Sequence, residues 1–165
     1  MKNDKEKTNV MRILDQKKIK YDSYTYEVDL EHLDGIHVAQ SLGQDLTYVY
    51  KTLVCISNTK HYYVLVVNVA DEIDFKKAAK ELNEKSLELI SVKDIETVTG
   101  GYVRGGTSPI GMKKLYKTLI EEGALSLDHI IISAGKRGYQ VSLNPKDLAK
   151  LINARFALFR RENEE

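Results

Sequence analysis

The chain has 165 residues, 30% of them charged, and a formal net charge of only +1. That length suits one domain with a proper core and excludes a second full-sized one, so residues 1–165 are read as a single domain. A balance this near neutrality excludes a strong overall field toward DNA or a membrane surface, and any polyanion has to be met by a local patch. A single cysteine, no apolar run of bilayer length and the polar opening MKNDKEKTN lead to the expectation of a soluble cytoplasmic protein without a signal peptide.

From Thr8, the residues Val10, Ile13 and Leu14 recur at helical spacing, which predicts an amphipathic helix over residues 8 to about 18. Residues 23–28, SYTYEV, are aromatic and β-branched and read as a half-buried strand with Tyr24, Tyr26 and Val28 on one face. Asp34 is placed to cap a short helix carrying Val38, Ala39 and Leu42, with Gly43 as its left-handed terminator. The runs YKTLVCI (50–56) and HYYVLVVNV (61–69), separated by a polar turn, predict a hairpin at the centre of a sheet. Asp74 precedes Phe75, Ala78, Ala79 and Leu82 at i, i+3, i+4, i+7, the pattern of an amphipathic helix.

Residues 91–94 resemble a capping arrangement for a short helix that stops at Gly100–Gly101. After a glycine-rich stretch come LYKTLI, then HIIISAG (129–135) and YQVSL (139–143), two buried strands joined by the turn GKRG. Asn144 and Pro145 supply a cap and a first-turn proline for a last helix whose buried stripe is Leu148, Leu151, Ile152, Phe156 and Phe159. Mixed helices and hairpins without regular strand–helix alternation indicate one α+β domain around a mixed sheet.

The four histidines, 32, 37, 61 and 129, lack metal-ligand spacing and there is no cysteine pair, so no metal is expected. Cys55 sits in mid-strand, where a thiol is ordinarily packing with a raised pKa. No nucleophile elbow and no phosphate-binding Gly-Lys-Ser/Thr loop occurs. Lys51 shares a face with Leu53 and Cys55, which fits either a lysine snorkelling to water or a fixed cation in a pocket. Ser133, followed by Ala134 and Gly135, either satisfies a strand end or offers a hydroxyl and free N–H groups to a cleft.

Arg104-Gly105-Gly106-Thr107-Ser108-Pro109-Ile110-Gly111 concentrates backbone freedom, which suits an oxyanion-binding concavity of N–H groups or a tight connection. Ser108–Pro109 then fixes an extended bend. Lys136, Arg137, Arg104, Lys113 and Lys114 suit either a rim for phosphates or an ordinary solvated face.

Taken in order, KTNVMRILDQKKIKYDSYTYEVD, VYKTLV, VNVADEIDFKKAAKEL, TGGYVRGGTSPIGMKK and ISAGKRGYQVSLNPKDLAKLINARF closely resemble the YbaK/EbsC family of aminoacyl-tRNA deacylases, relatives of the editing domain of bacterial prolyl-tRNA synthetases. The resemblance runs from about residue 7 to about 157, leaving polar termini. It implies an α/β (α+β) fold with a mixed, partly barrel-like sheet, and a free-standing, cofactor-independent enzyme that hydrolyses Cys-tRNA(Pro), with Cys-tRNA(Cys) as a further substrate. A deacylase for another small residue such as Ala-tRNA(Pro), or a non-catalytic tRNA-end or synthetase-binding module, are the alternatives.

The resemblance also implies that Lys51 is the main functional side chain, with Tyr26, Gly105 and Ser133 beside it. Gly106, Ser108, Ala134, Gly135, Arg137 and Gln140 are expected to bind substrate. At position 140 the family commonly has an aspartate, so the glutamine keeps a hydrogen bond but not a charge. The implied partners are the acceptor end of tRNA(Pro) and prolyl-tRNA synthetase.

Overall fold

The structure, a computed structural model, describes residues 6–162. Helix α1 (Asn9–Gln16) starts where Thr8 accepts the Met11 N–H on its hydroxyl, and buries Val10, Met11 and Leu14. Strand β1 (Asp22–Thr25) is exposed along its whole length and pairs only with β7 (Tyr139–Leu143). The expected half-buried strand over residues 23–28 is therefore a short edge strand, and Val28 is exposed. Aromatic and β-branched residues favour extended backbone, but burial also requires a covering layer, which β1 lacks.

Helix α2 (Gly35–Ser41) is capped by Asp34, and Gly43 follows it at φ +68°. Strands β2 (Tyr50–Ser57) and β3 (Tyr62–Asn68) form the expected hairpin, in register from Tyr50 opposite Asn68 to Ile56 opposite Tyr62. Helix α3 (Phe75–Glu81) begins on the Asp74 carboxylate, which accepts the Lys76 and Lys77 N–H groups. A short strand the sequence does not announce, β4 (Leu87–Leu89), then adds to β2. Helix α4 (Ile95–Thr99) ends at Gly100 with φ +86°, but Ser91 makes no capping hydrogen bond.

Strand β5 (Lys117–Glu121) runs parallel to β3, and β6 (Ile130–Ser133) pairs antiparallel with β7. Helix α5 (Pro145–Ile152) starts on Asn144 as expected, but it stops at Asn153, whose φ is +54°. Phe156 and Phe159 consequently do not extend its stripe. Residues Arg155–Ala157 form β8, parallel to β5, and Phe159 is buried under the opposite face of the sheet. The spacing fits a longer helix, but a hydrogen-bonding edge on β5 takes up the chain instead.

The single mixed sheet expected from sequence is in fact two sheets, a five-stranded mixed one (β4-β2-β3-β5-β8) and a three-stranded antiparallel one (β1-β7-β6). Their edges touch at a parallel bridge between Val49 and Ile131, so the walls are partly barrel-like and do not close. Val64 and Val66 face the layer shared with α1, β6, β7 and α5, whereas Leu65 and Val67 face α3. That two-sided burial explains why β3 reads as continuous apolar sequence: with a side-chain period of two, both faces must be hydrophobic. Among the described residues no helix is long and apolar enough to cross a membrane.

Candidate functional site

Beyond the Val49–Ile131 bridge the two sheet edges diverge, and a cavity of about 400 Å³ opens between them. Strand β4 pairs with β2 from Cys55 to Ser57 and the Ile90 N–H donates to Val54 O at 3.1 Å, so the outer edge of residues 50–53 is left facing this cavity. Ile132, Ser133 and Gln140 form the opposite wall, and Leu89, Ile90, Val92 and Ile95 form an apolar side. Arg104, Gly105 and Thr107 come from the glycine-rich stretch, while Tyr26 and residues 33–35 complete the mouth.

Five residues singled out in the sequence, Tyr26, Lys51, Gly105, Ser133 and Gln140, thus line one cavity. Lys51 is half-buried and forms no ion pair with the described residues. Burial pushes its pKa below the ordinary lysine value, against weaker opposing pulls from Asp71, Glu72 and Asp34. A partly desolvated ammonium without a fixed counter-charge is available to a ligand. Ser133 Oγ accepts the Gly135 N–H at 3.1 Å, and Ser133 stands opposite Gln140 in the β6–β7 register. The Gln140 side chain is buried and its Oε1 accepts from Gln44 Nε2 at 2.8 Å.

The glycine-rich loop divides its work. Gly105 has φ +85°, a backbone conformation that side chains other than glycine adopt only under strain, and its N–H donates to no protein acceptor among the described residues. Gly106 packs against the GKRG turn, and its N–H is donated to Val103 O at 2.9 Å. Of the two roles the sequence leaves open for this stretch, the Gly106 N–H thus serves the tight connection.

Gly106, Ser108, Ala134, Gly135 and Arg137, expected to bind substrate, are not on the cavity wall. Ser108 and Ala134 are fully buried, and Ser108 Oγ accepts the Ile110 N–H at 3.3 Å. Gly135 lies under the Tyr102 ring. Arg137 Nε donates to Arg104 O at 2.7 Å, which ties the turn to the loop. Of the expected basic rim only Arg104 reaches the cavity; Lys136 pairs with Glu6 at 3.6 Å.

Residues that sequence reasoning left out of the site are Asp34, read only as a helix cap, and Thr52 together with the apolar wall. A capping aspartate and a polar side chain within an apolar strand are each weak signals, because either is satisfied by a purely structural role. Cys55 is buried outside the lining, and desolvation pushes its thiol pKa up to about 12.

Residues 35–151 match the model of the aminoacyl-tRNA editing domain, more than two thirds of the chain. The chain belongs to this family. It is 42% identical over 156 residues to EbsC of Enterococcus faecalis, named as a candidate Cys-tRNA(Pro)/Cys-tRNA(Cys) deacylase, with 94% of each chain covered. Two solved structures share the fold. The hypothetical protein APE2540 superposes with a TM-score of 0.82 at 16% identity, over 92% of this chain and 99% of that one. A candidate trans-editing enzyme for prolyl tRNA synthetase superposes with a TM-score of 0.77 at 20% identity, over 93% and 95%.

Proposed function

We propose that this protein is a trans-editing aminoacyl-tRNA deacylase that cleaves the ester of Cys-tRNA(Pro), with Cys-tRNA(Cys) as a second substrate. The observation that carries the reading is the convergence of Lys51, Tyr26, Gly105 and Ser133 on one cavity whose lining has hydroxyls but no thiol and no imidazole. Such a wall positions a substrate and stabilises charge, but it carries no thiol or imidazole nucleophile of its own. The substrate's thiol fills that gap. Its sulfur attacks the ester carbonyl, the bond to the ribose oxygen breaks, and the thiol proton ends on that oxygen, releasing tRNA and a cyclic thiolactone that water later opens.

In this scheme the Lys51 ammonium orients the aminoacyl end or the terminal ribose. The Gly105 N–H, which no acceptor among the described residues takes, approaches the carbonyl oxygen as it gains charge. Tyr26 and Ser133 size the pocket. The apolar wall from Leu89 to Ile95 suits a small, uncharged side chain.

Incubating the protein with Cys-tRNA(Pro) and Ala-tRNA(Pro) separates the possibilities. Loss of the cysteinyl ester alone is expected; loss of only the alanyl ester overturns the thiol route, and binding of tRNA with no ester cleaved leaves a binding module. A net charge of +1 supplies little attraction for tRNA, so prolyl-tRNA synthetase provides the selectivity for tRNA(Pro). Gel filtration of the mixture, with and without tRNA, checks that partnership.

A further inference from the structure

An aminoacyl ester carries a positive α-ammonium, and the cavity already holds two cations, Lys51 and Arg104. Unless something offsets them, these charges oppose the ligand. The face that bears Gln140 offers only a neutral amide, already engaged with Gln44. Among the described residues, one carboxylate lines the cavity: Asp34.

Asp34 is held in place on two sides. One oxygen takes the His37 N–H at 3.2 Å as the cap of α2, and the other meets His37 Nδ1 at 2.6 Å. Each oxygen keeps acceptor capacity beyond its single partner. The neighbouring Leu33 packs against Gly105, where an added Cβ would stand 3.3 Å from Leu33 Cβ. The carboxylate thus belongs to the segment that abuts the backbone assigned to the ester carbonyl. In the ligand the ammonium nitrogen and that carbonyl carbon lie only about 2.5 Å apart. A group held at Gly105 therefore brings its ammonium toward the mouth where Asp34 sits.

We infer that Asp34 is the carboxylate that receives the substrate's α-ammonium, with His37 orienting it. The inference rests on the deacylase reading only for the ligand's being an aminoacyl ester.

The test is binding, read by calorimetry, of two stable adenosine amides: 3′-cysteinylamino-3′-deoxyadenosine and its 3-mercaptopropionyl counterpart, which lacks the amine. The native protein is expected to prefer the amine-bearing analogue by about five- to tenfold, a modest ratio because the Asp34 side chain is 48% exposed. Asp34→Asn removes that preference, and asparagine caps a helix as well as aspartate does, so α2 stays in place. Adding Gln140→Asp to Asp34→Asn restores a preference, because a carboxylate again lines the cavity.

Retention of the full ratio by Asp34→Asn overturns the inference, as does a native protein with no preference, including one that binds neither analogue. Failure of the deacylase reading looks different: no ester is cleaved on any aminoacyl-tRNA while the Asp34-dependent ratio persists.

Discussion

Gly106 lies directly on the backbone of Arg137: a Cβ at position 106 would stand 2.9 Å from the Arg137 amide nitrogen. The neighbour is main chain and cannot swing aside. Gly106→Ala is therefore expected to destabilise the fold by about 1–3 kcal/mol through overpacking, read as a lower urea midpoint. Gly105→Ala meets no main chain, only Leu33 Cβ at 3.3 Å and Arg137 Nε at 3.5 Å, but must adopt φ +85°. Its stability cost is about 1 kcal/mol, with a larger loss in deacylation as the backbone N–H shifts. Equal damage to stability from the two substitutions would contradict this division of labour.

Lys51→Met should abolish Cys-tRNA(Pro) hydrolysis without weakening the fold, leaving stability unchanged or raising it by up to about 1 kcal/mol. Burial lowers the Lys51 pKa in the folded state, so the unfolded chain binds the proton more tightly. The sign follows: this cost is fully present below the folded pKa and fades as pH rises through it toward the unfolded value of about 10.4. The native protein therefore gains stability relative to Lys51→Met on that alkaline limb. Urea titrations of both proteins across the limb measure the difference, and parallel pH curves would refute it.

Cys55 takes no part in the proposed chemistry, so Cys55→Ala should retain deacylation within about twofold. In the native protein the thiol should resist aromatic disulfide reagents at neutral pH and react only on unfolding, because it is buried with a pKa pushed up to about 12. Inactivation by a thiol reagent at native stability would place an enzyme nucleophile back in the scheme.

Glu121 is fully buried, where it accepts the Phe159 N–H at 2.8 Å and the Arg160 N–H at 3.1 Å and pairs with the Arg160 guanidinium. It anchors the chain beyond β8. Glu121→Ala strands those donors and is expected to cost about 3–5 kcal/mol, measured by chemical denaturation. Arg160→Met should also destabilise, since it leaves the buried carboxylate without its cation.

Much of the secondary structure was legible because it is written in local chemistry. Asp34, Asp74 and Asn144 cap helices where their short polar side chains meet the start of an apolar stripe. The β2–β3 hairpin follows from two apolar runs around a polar turn. The C-terminal reading failed at Asn153, because the continuing pattern of Phe156 and Phe159 cannot reveal that the β5 edge captures residues 155–157. The short β4 escaped for the same reason, since three residues gain their identity from a partner strand.

By itself, then, the sequence determined the caps and the buried runs, and its resemblance to a family of deacylases grouped Lys51, Gly105, Ser133 and Tyr26. Only the tertiary structure decided that there are two sheets, that they part beyond Val49 and Ile131, and that the gap is the cavity. It also decided which glycine is free: among the described residues the Gly105 N–H meets no acceptor, while Gly106 is pressed onto Arg137 from a turn 31 residues further along. Spacing along a chain encodes local hydrogen bonding and periodicity. The meeting of distant edges depends on packing that no short window of residues contains.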